Sequence, residues 1–129
     1  MRLVVANNRD PVLIRQLAKV WENSVRKTHL FLSDQEIVEL KGYVVQTLSS
    51  IAHLIVAVNQ VGIPVGFMGI EGEMLEMLFI APEEREKGLG RKMIQRGIEV
   101  YSIKKVTVNE QNPLARGFYE HMGFKVYQR

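Results

Sequence analysis

No cysteine occurs among the 129 residues, which excludes disulfides, thiolate metal sites and a cysteine nucleophile. No apolar run approaches the ~18 residues that a membrane-spanning helix needs, and no signal-peptide pattern opens the chain. A cytoplasmic location is therefore the default expectation, with no membrane partner. Charge of one sign is also scarce: 17 Lys and Arg stand against 14 Asp and Glu, a net +3 dispersed along the chain. Such a mild excess suits an anionic small molecule and leaves no footprint for nucleic acid. No Asp/His cluster shows metal-ligand spacing, so no metal is expected. Internal repeats and low-complexity linkers are absent, and the length fits one domain, 1–129, around one core.

What the chain does have is a stretch, from Met74 to Ser102, around which the rest is organised. Residues 74–80 form an apolar run that reads as a buried strand, closed by Pro82 because proline cannot donate to a ladder. Arg85, Glu86, Lys87, Gly88, Leu89 and Gly90 follow. Apolar residues at Leu89, Met93, Ile94, Gly97, Ile98 and Tyr101 then predict a helix starting near Gly88. A strand that delivers a glycine loop to a helix N-terminus makes an anion site, because the first-turn N–H groups lack helical partners. Glycine lets a phosphate approach the backbone closely. The same two glycines would serve equally in a tight turn that binds nothing. The loop is neither a P-loop, since no Gly-Lys-Ser/Thr follows, nor a dinucleotide fingerprint, since the third glycine is missing.

Upstream, residues 3–6 predict a short strand at or near a sheet edge. Asp10 and Pro11 suit a helix cap and a first-turn proline, and Leu13, Leu17, Val20, Trp21 and Ser24 trace a helical face. Trp21, the single tryptophan, is expected in the core. Residues 28–32 interrupt the pattern with His29 among large apolar neighbours, including Phe31, where a polar loop is normal. Ser33 and Glu36 then form a capping box for a second helix that turns Ile37, Leu40, Val44, Leu48 and Ile51 inward. Residues 54–58, 65–70 and 74–80 predict a three-stranded meander. Residues 105–108 are a further strand, parallel to the last of these because a helix intervenes.

A second motif starts at Asn112. Ala115, Phe118, Tyr119 and Met122 line one helical face, Gly123 sits where a left-handed cap belongs, and residues 124–127 close as a strand. The two motifs together resemble the GNAT acetyltransferase superfamily. Arg85, Gly88 and Gly90 match its coenzyme A loop, Gln/Arg-x-x-Gly-x-Gly/Ala. The spacing from Asn112 through Ala115, Phe118 and Tyr119 to Gly123 and Phe124 matches its second motif at every defining position. The likeness is greatest to small stand-alone bacterial members sharing the run at residues 109–112. The resemblance implies an α/β fold: a mixed, mostly antiparallel sheet flanked by helices and split between its fourth and fifth strands to admit acetyl-CoA.

The implied reaction is acetyl transfer from acetyl-CoA to a primary amine, small molecule or protein, by direct attack in a ternary complex. Holding both reactants in line supplies much of the acceleration, so no covalent enzyme intermediate is needed. The resemblance places the pyrophosphate on the backbone of residues 85–90, with Arg85, Lys87 and Arg91 able to add charge. It lays the pantetheine arm along Leu78, Phe79 and Ile80, where an N–H near Leu78 faces the thioester oxygen. Asn112 would contact the arm, and Tyr119 would protonate the leaving thiolate, a role its reference pKa near ~10 permits. Periodicity alone would make Tyr119 a core residue and Asn112 a helix cap. For the general base, Glu76 is read on one strand face with Met74, Leu78 and Ile80, where apolar neighbours would raise a carboxyl pKa. Glu73 and His29 are its rivals. The apolar loop at 28–32 either packs on the body or lines a pocket; the resemblance favours the lip of the acceptor pocket, to which His29 and Phe31 are assigned.

Family members normally continue with another strand beside the fifth, whereas this chain ends at Arg129, five residues after Phe124. The expected sheet is therefore short of its last strand. Residues 124–127 would move up to pair with 105–108, borrow an edge from a second copy, or stay open, and a homodimer is the expectation of choice. Two other functions share the signature: a non-catalytic acyl-CoA-binding sensor, and a nucleotide-phosphate binder using only the glycine loop.

Overall fold

A computed structural model describes residues 1–108 and 124–128. The chain runs β1 (Arg2–Val5), α1 (Pro11–Thr28), α2 (Asp34–Ser50), β2 (His53–Val58), β3 (Pro64–Glu71) and β4 (Met74–Ile80). A single 3₁₀ turn (Pro82–Glu84), α3 (Leu89–Tyr101), β5 (Lys105–Val108) and β6 (Lys125–Gln128) follow. The helix expected from Asn112, with its cap at Gly123, lies outside the described residues.

Local chemistry sets the helix ends. Asp10 Oδ1 accepts from Leu13 N–H at 2.9 Å, and Pro11, which has no N–H to leave unpaired, occupies the first position of α1. Ser33 and Glu36 satisfy each other's neighbouring donors at the start of α2, at 3.1 and 2.9 Å. At its other end, the Arg9 guanidinium donates to the carbonyls of Leu48 and Ala52. That places a cation where the helix dipole is negative.

Among the described residues six strands form one sheet in chain order, β1-β2-β3-β4-β5-β6. The pairs from β1 to β4 are antiparallel, whereas β4–β5 and β5–β6 are parallel. This is the mixed, mostly antiparallel sheet that the resemblance implied. Of the three arrangements open to the last strand, the structure has the first: β6 pairs with β5 along its whole length, Lys105 with Lys125 through Val108 with Gln128.

Helices cover both faces. Leu17, Trp21, Ile37 and Leu48 of α1 and α2 pack with Val56, Phe67 and Met77 on one side. Leu89, Met93 and Ile94 of α3 pack with Ile55, Met68, Ile70, Leu75 and Val106 on the other. Strands β2 and β3 are consequently apolar almost throughout. Two expected core positions are not buried. Leu40 and Ile98 are both exposed. Each residue turns ~100° round a helix, so Ile98, one step beyond Gly97, is carried to the margin of a stripe centred on Met93, Ile94 and Gly97. Leu40 lies at the margin of the Ile37–Val44–Leu48 stripe for the same reason.

Glu22 ties α1 to α2, accepting from Lys41 Nζ at 2.7 Å and from Arg26 Nε at 2.9 Å. The bond from Lys41, then that from Arg26, lowers its carboxyl from the ordinary 4.5 to about 2. A carboxyl depressed by folding stabilises the folded state above the unfolded-state pKa, and that contribution is lost as pH falls through the folded one. Wild type should therefore lose stability between about pH 4.5 and 2 more steeply than Glu22→Gln. Parallel acid-unfolding slopes in the two proteins would contradict this.

Candidate functional site

Strand β4 shifts register against β3 between Gly69 and Ile70, and β2 shifts against β3 between Ala57 and Val58. Along β3 the side chains alternate strictly, Phe67 and Gly69 to the α1/α2 side, Met68 and Ile70 to the α3 side. Opposite them, Phe79 faces Phe67, Leu78 faces Met68, Met77 faces Gly69, and then Leu75 faces Ile70. Glu76 is the extra residue of a β-bulge. Because of it, Met77 and Phe79 join the α1/α2 core, while Leu75, Leu78 and Ile80 join the α3 core. The reading of Glu76 on one face with Met74, Leu78 and Ile80 is thus corrected. The bulge shifts the alternation, so that Met74 is on the α1/α2 side and Leu78 and Ile80 are on the other. Glu76 itself is half-buried.

The bulge coincides with a parting of strands. β4 pairs with β5 only at Met74–Lys105 and Leu75–Val106. Beyond Leu75 no strand pairs with β4 on that side among the described residues, which is the split expected between the fourth and fifth strands. The phase of the β3 ladder then decides which groups enter it. Ala81 N–H donates to Val65 O at 2.8 Å, so in an antiparallel ladder Phe79 and Met77 also bond β3, and the intervening residues do not. The N–H and C=O groups of Leu78 and Ile80 therefore point away from β3, into the split.

The strand ends in the 3₁₀ turn and a loop with two left-handed residues, Glu86 at φ 64° and Gly88 at φ 80°. Gly88 is the N-cap of α3, and no side chain caps the helix. The first-turn N–H groups of Leu89, Gly90 and Arg91 are left as donors beside the dipole's positive end. A Cβ on Gly88 would meet open space, whereas one on Gly90 would stand 3.3 Å from Ile80 Cδ1. Gly90 thus lets α3 seat on the end of β4, and Gly88 opens the turn. Lys87 is exposed and bridges Glu84 at 3.4 Å, and Arg91 is exposed.

Arg85 behaves differently. Its Nη2 reaches back to α1 and donates to Ser24 Oγ, 2.5 Å away and 2% exposed. One turn further along α1, Thr28 Oγ1 donates to Ser24 O at 2.9 Å and lies 2.9 Å from His29 Nδ1. The half-buried His29 ring rests against Phe31, centroids 5.5 Å apart. Burial, and secondarily the Arg85 cation, push the His29 pKa below its ordinary 6.5. Leu32 packs into the core cluster that includes Phe79, while Leu30 and Phe31 stand 83% and 52% exposed. The apolar loop is thus anchored at one residue and projects two. Asn112 and Tyr119 lie outside the described residues. Among those described, no three His, Cys, Asp or Glu side chains could hold a metal, and no helix is long and apolar enough to cross a membrane.

The protein-family model described as the acetyltransferase (GNAT) domain matches residues 17–129. The chain belongs to the GNAT acetyltransferase family. Among its relatives, the peptidyl-lysine N-acetyltransferase YjaB of Salmonella typhimurium is 41% identical over 114 residues, 88% of this chain and 78% of that protein. YjaB of Escherichia coli K12 is likewise 41% identical. The apo-form solution structure of E. coli YjaB superposes with a TM-score of 0.80 at 36% identity, over 97% of this chain and 84% of that one. The PaiA N-acetyltransferase of Thermoplasma acidophilum, solved in complex with coenzyme A, shares the fold with a TM-score of 0.70 at 21% identity. The match covers 98% of this chain and 92% of that one.

In this GNAT domain the coenzyme-loop arginine and the lip histidine, assigned separately from sequence, are brought to one place. Sequence reasoning missed the two hydroxyls that join them. Ser24 had left a signal, a lone hydroxyl on an otherwise apolar face of α1. Thr28 had left none. Arg85→Met should cost about 1–3 kcal/mol by stranding the buried Ser24 hydroxyl, and adding Ser24→Ala should restore most of the loss. Thermal unfolding of the double-mutant cycle checks this. Strictly additive losses would mean the pair is not coupled.

Proposed function

We propose that this GNAT acetyltransferase moves an acetyl group from acetyl-CoA to the primary amine of a lysine side chain. One observation carries the reading: the half of β4 that leaves β5 offers the backbone of Leu78 and Ile80 on one side of a split, and leads into the uncapped start of α3. An extended amide chain can add to that edge as a strand would. A pyrophosphate fits the open turn at Gly88, where Leu89, Gly90 and Arg91 donate N–H groups. Acetyl-CoA is the substrate with both features. Leu78 N–H, at the head of the free edge, would polarise the thioester carbonyl. Tyr119 would return a proton to the departing sulfur, and Asn112 would steady the arm. The lysine acceptor follows from the two YjaB relatives, both named for peptidyl-lysine. The projecting Leu30 and Phe31 suit an acceptor presented on a peptide or protein surface rather than a buried small molecule.

The test is coenzyme release from acetyl-CoA with lysine-bearing peptides beside polyamines and free amino acids. Lysine peptides should be acetylated at the side chain. Tight coenzyme binding without turnover on any amine would favour an acyl-CoA sensor. Gly88→Asp puts a carboxylate at the cap position, where a Cβ meets open space but the φ of 80° is strained for any side chain. Like-charge contact costs several kcal/mol, so calorimetry should show coenzyme A binding weakened by roughly 10²-fold or more relative to Gly88→Asn, which carries the same strain without the charge. Unchanged binding would move the pyrophosphate elsewhere. Tyr119→Phe should lower turnover by roughly 10²–10⁴-fold with coenzyme affinity kept. Full turnover in that variant would return Tyr119 to a packing role.

A further inference from the structure

A threonine hydroxyl has one proton. Among the described residues Thr28 Oγ1 meets, besides His29, the carbonyl oxygen of Ser24, which can only accept, and it donates there at 2.9 Å. With its proton given to Ser24 O, Thr28 Oγ1 keeps its lone pairs for the 2.9 Å contact with His29 Nδ1. In that arrangement the imidazole carries its hydrogen on Nδ1 and its lone pair on Nε2. Among the described residues Nε2 has no hydrogen-bond partner. A backbone carbonyl thus orients a hydroxyl, and the hydroxyl fixes a histidine tautomer, as a third group does for the base in hydrolytic triads.

The place of this chain of contacts matters as much as its order. Ser24 also receives Arg85, the residue that leads from the 3₁₀ turn into the glycine loop. Leu32, three residues beyond His29, and Phe79 of β4 pack against the same core cluster. Through Thr28 and Ser24, His29 is accordingly tied to Arg85 and so to the stretch that leads into the glycine loop.

We propose that His29 is the general base of acetyl transfer, its Nε2 taking a proton from the acceptor ammonium, with Thr28 as the positioning residue. This rests on the amine-acetylating function proposed above. The ammonium R–NH₃⁺ gives one proton to Nε2, and the freed amine lone pair attacks the thioester carbon. The C–N bond forms and the C–S bond breaks. The leaving sulfur gains the proton that the nitrogen sheds, directly or through Tyr119, and the imidazolium releases its own to solvent. In sum, R–NH₃⁺ and the thioester give the amide, the thiol and one H⁺. Of the charged groups nearby, Arg85 favours the neutral ring, and Arg26 is taken up by Glu22 and Asp34. At neutral pH the ring is therefore ready to accept.

Two measurements test it. The first needs no turnover: long-range ¹H–¹⁵N correlations of the His29 ring should show the Nδ1–H tautomer in wild type, a mixture in Thr28→Val, and recovery in Thr28→Ser. A dominant Nε2–H tautomer in wild type would overturn the proposal. The second is the pH profile of kcat/KM with a lysine peptide. Wild type should rise through an inflection below pH 6.5 and then level. His29→Gln should lose the inflection, run roughly 10²–10⁴-fold slower near neutrality, and close the gap as pH rises toward the amine's own pKa. Thr28→Val should fall between the two with its inflection moved. If His29→Gln keeps the inflection and Glu76→Gln removes it, the base is Glu76. A wild type that acetylates no amine would remove the underlying reading and this one with it. The histidine assignment alone falls when turnover is normal and the inflection survives in His29→Gln.

Discussion

The parting of β4 from β5 after two residue pairs is the constraint on which the rest depends. A sheet buried on both faces has no reason to open unless something displaces a strand. Here the bulge at Glu76 does so, adding one residue against β3 and turning the strand away from β5. The hydrophobic effect accepts the change because both faces are covered. Residues shifted from one side to the other, Leu78 and Ile80 against Met77 and Phe79, find an apolar cluster wherever they land. A sheet with one solvated face could not have absorbed the same slip.

From that opening the site assembles by short steps. The free edge runs into Pro82, the 3₁₀ turn and the left-handed Gly88, whose φ suits glycine and starts α3 with its N–H groups uncapped. Gly90 lets the helix seat on Ile80, so strand edge and helix start are held as one piece. Arg85 then carries the construction across to α1. Its bond to Ser24 links the loop that would hold the acyl donor to the loop that would meet the acceptor, and puts a cation near His29. The two loops are thus joined by side chains outside both of the family motifs except for Arg85.

Local signals were legible in the sequence, and non-local ones were not. The bounds of β4, the start of α3 at Gly88, the Asp10 cap and the Ser33–Glu36 box follow from residues adjacent in the chain, and the structure has them where the pattern put them. The bulge was invisible because its marker, a break in alternation, cannot be seen in a run where Leu75, Met77, Leu78 and Phe79 are all apolar. Reading Glu76 by strict alternation therefore put it on a face with the wrong neighbours. The Arg85–Ser24 bond joins residues 61 apart in sequence; only the oddity of a serine on an apolar stripe hinted at it. Leu40 and Ile98 show the remaining limit, since a hydrophobic stripe gives the middle of a buried face more reliably than its edges.

The central claim is that the edge of β4 facing the split is open for an acyl-CoA to pair with. Backbone amide exchange, followed residue by residue with and without coenzyme A, tests it most directly. Met77 and Phe79, bonded to β3, should be protected in both states. Leu78 and Ile80 should exchange quickly in the free protein and slow on binding, together with Leu89, Gly90 and Arg91. Protection of Leu78 and Ile80 before any coenzyme is added, or no change in them at saturation, would contradict the account.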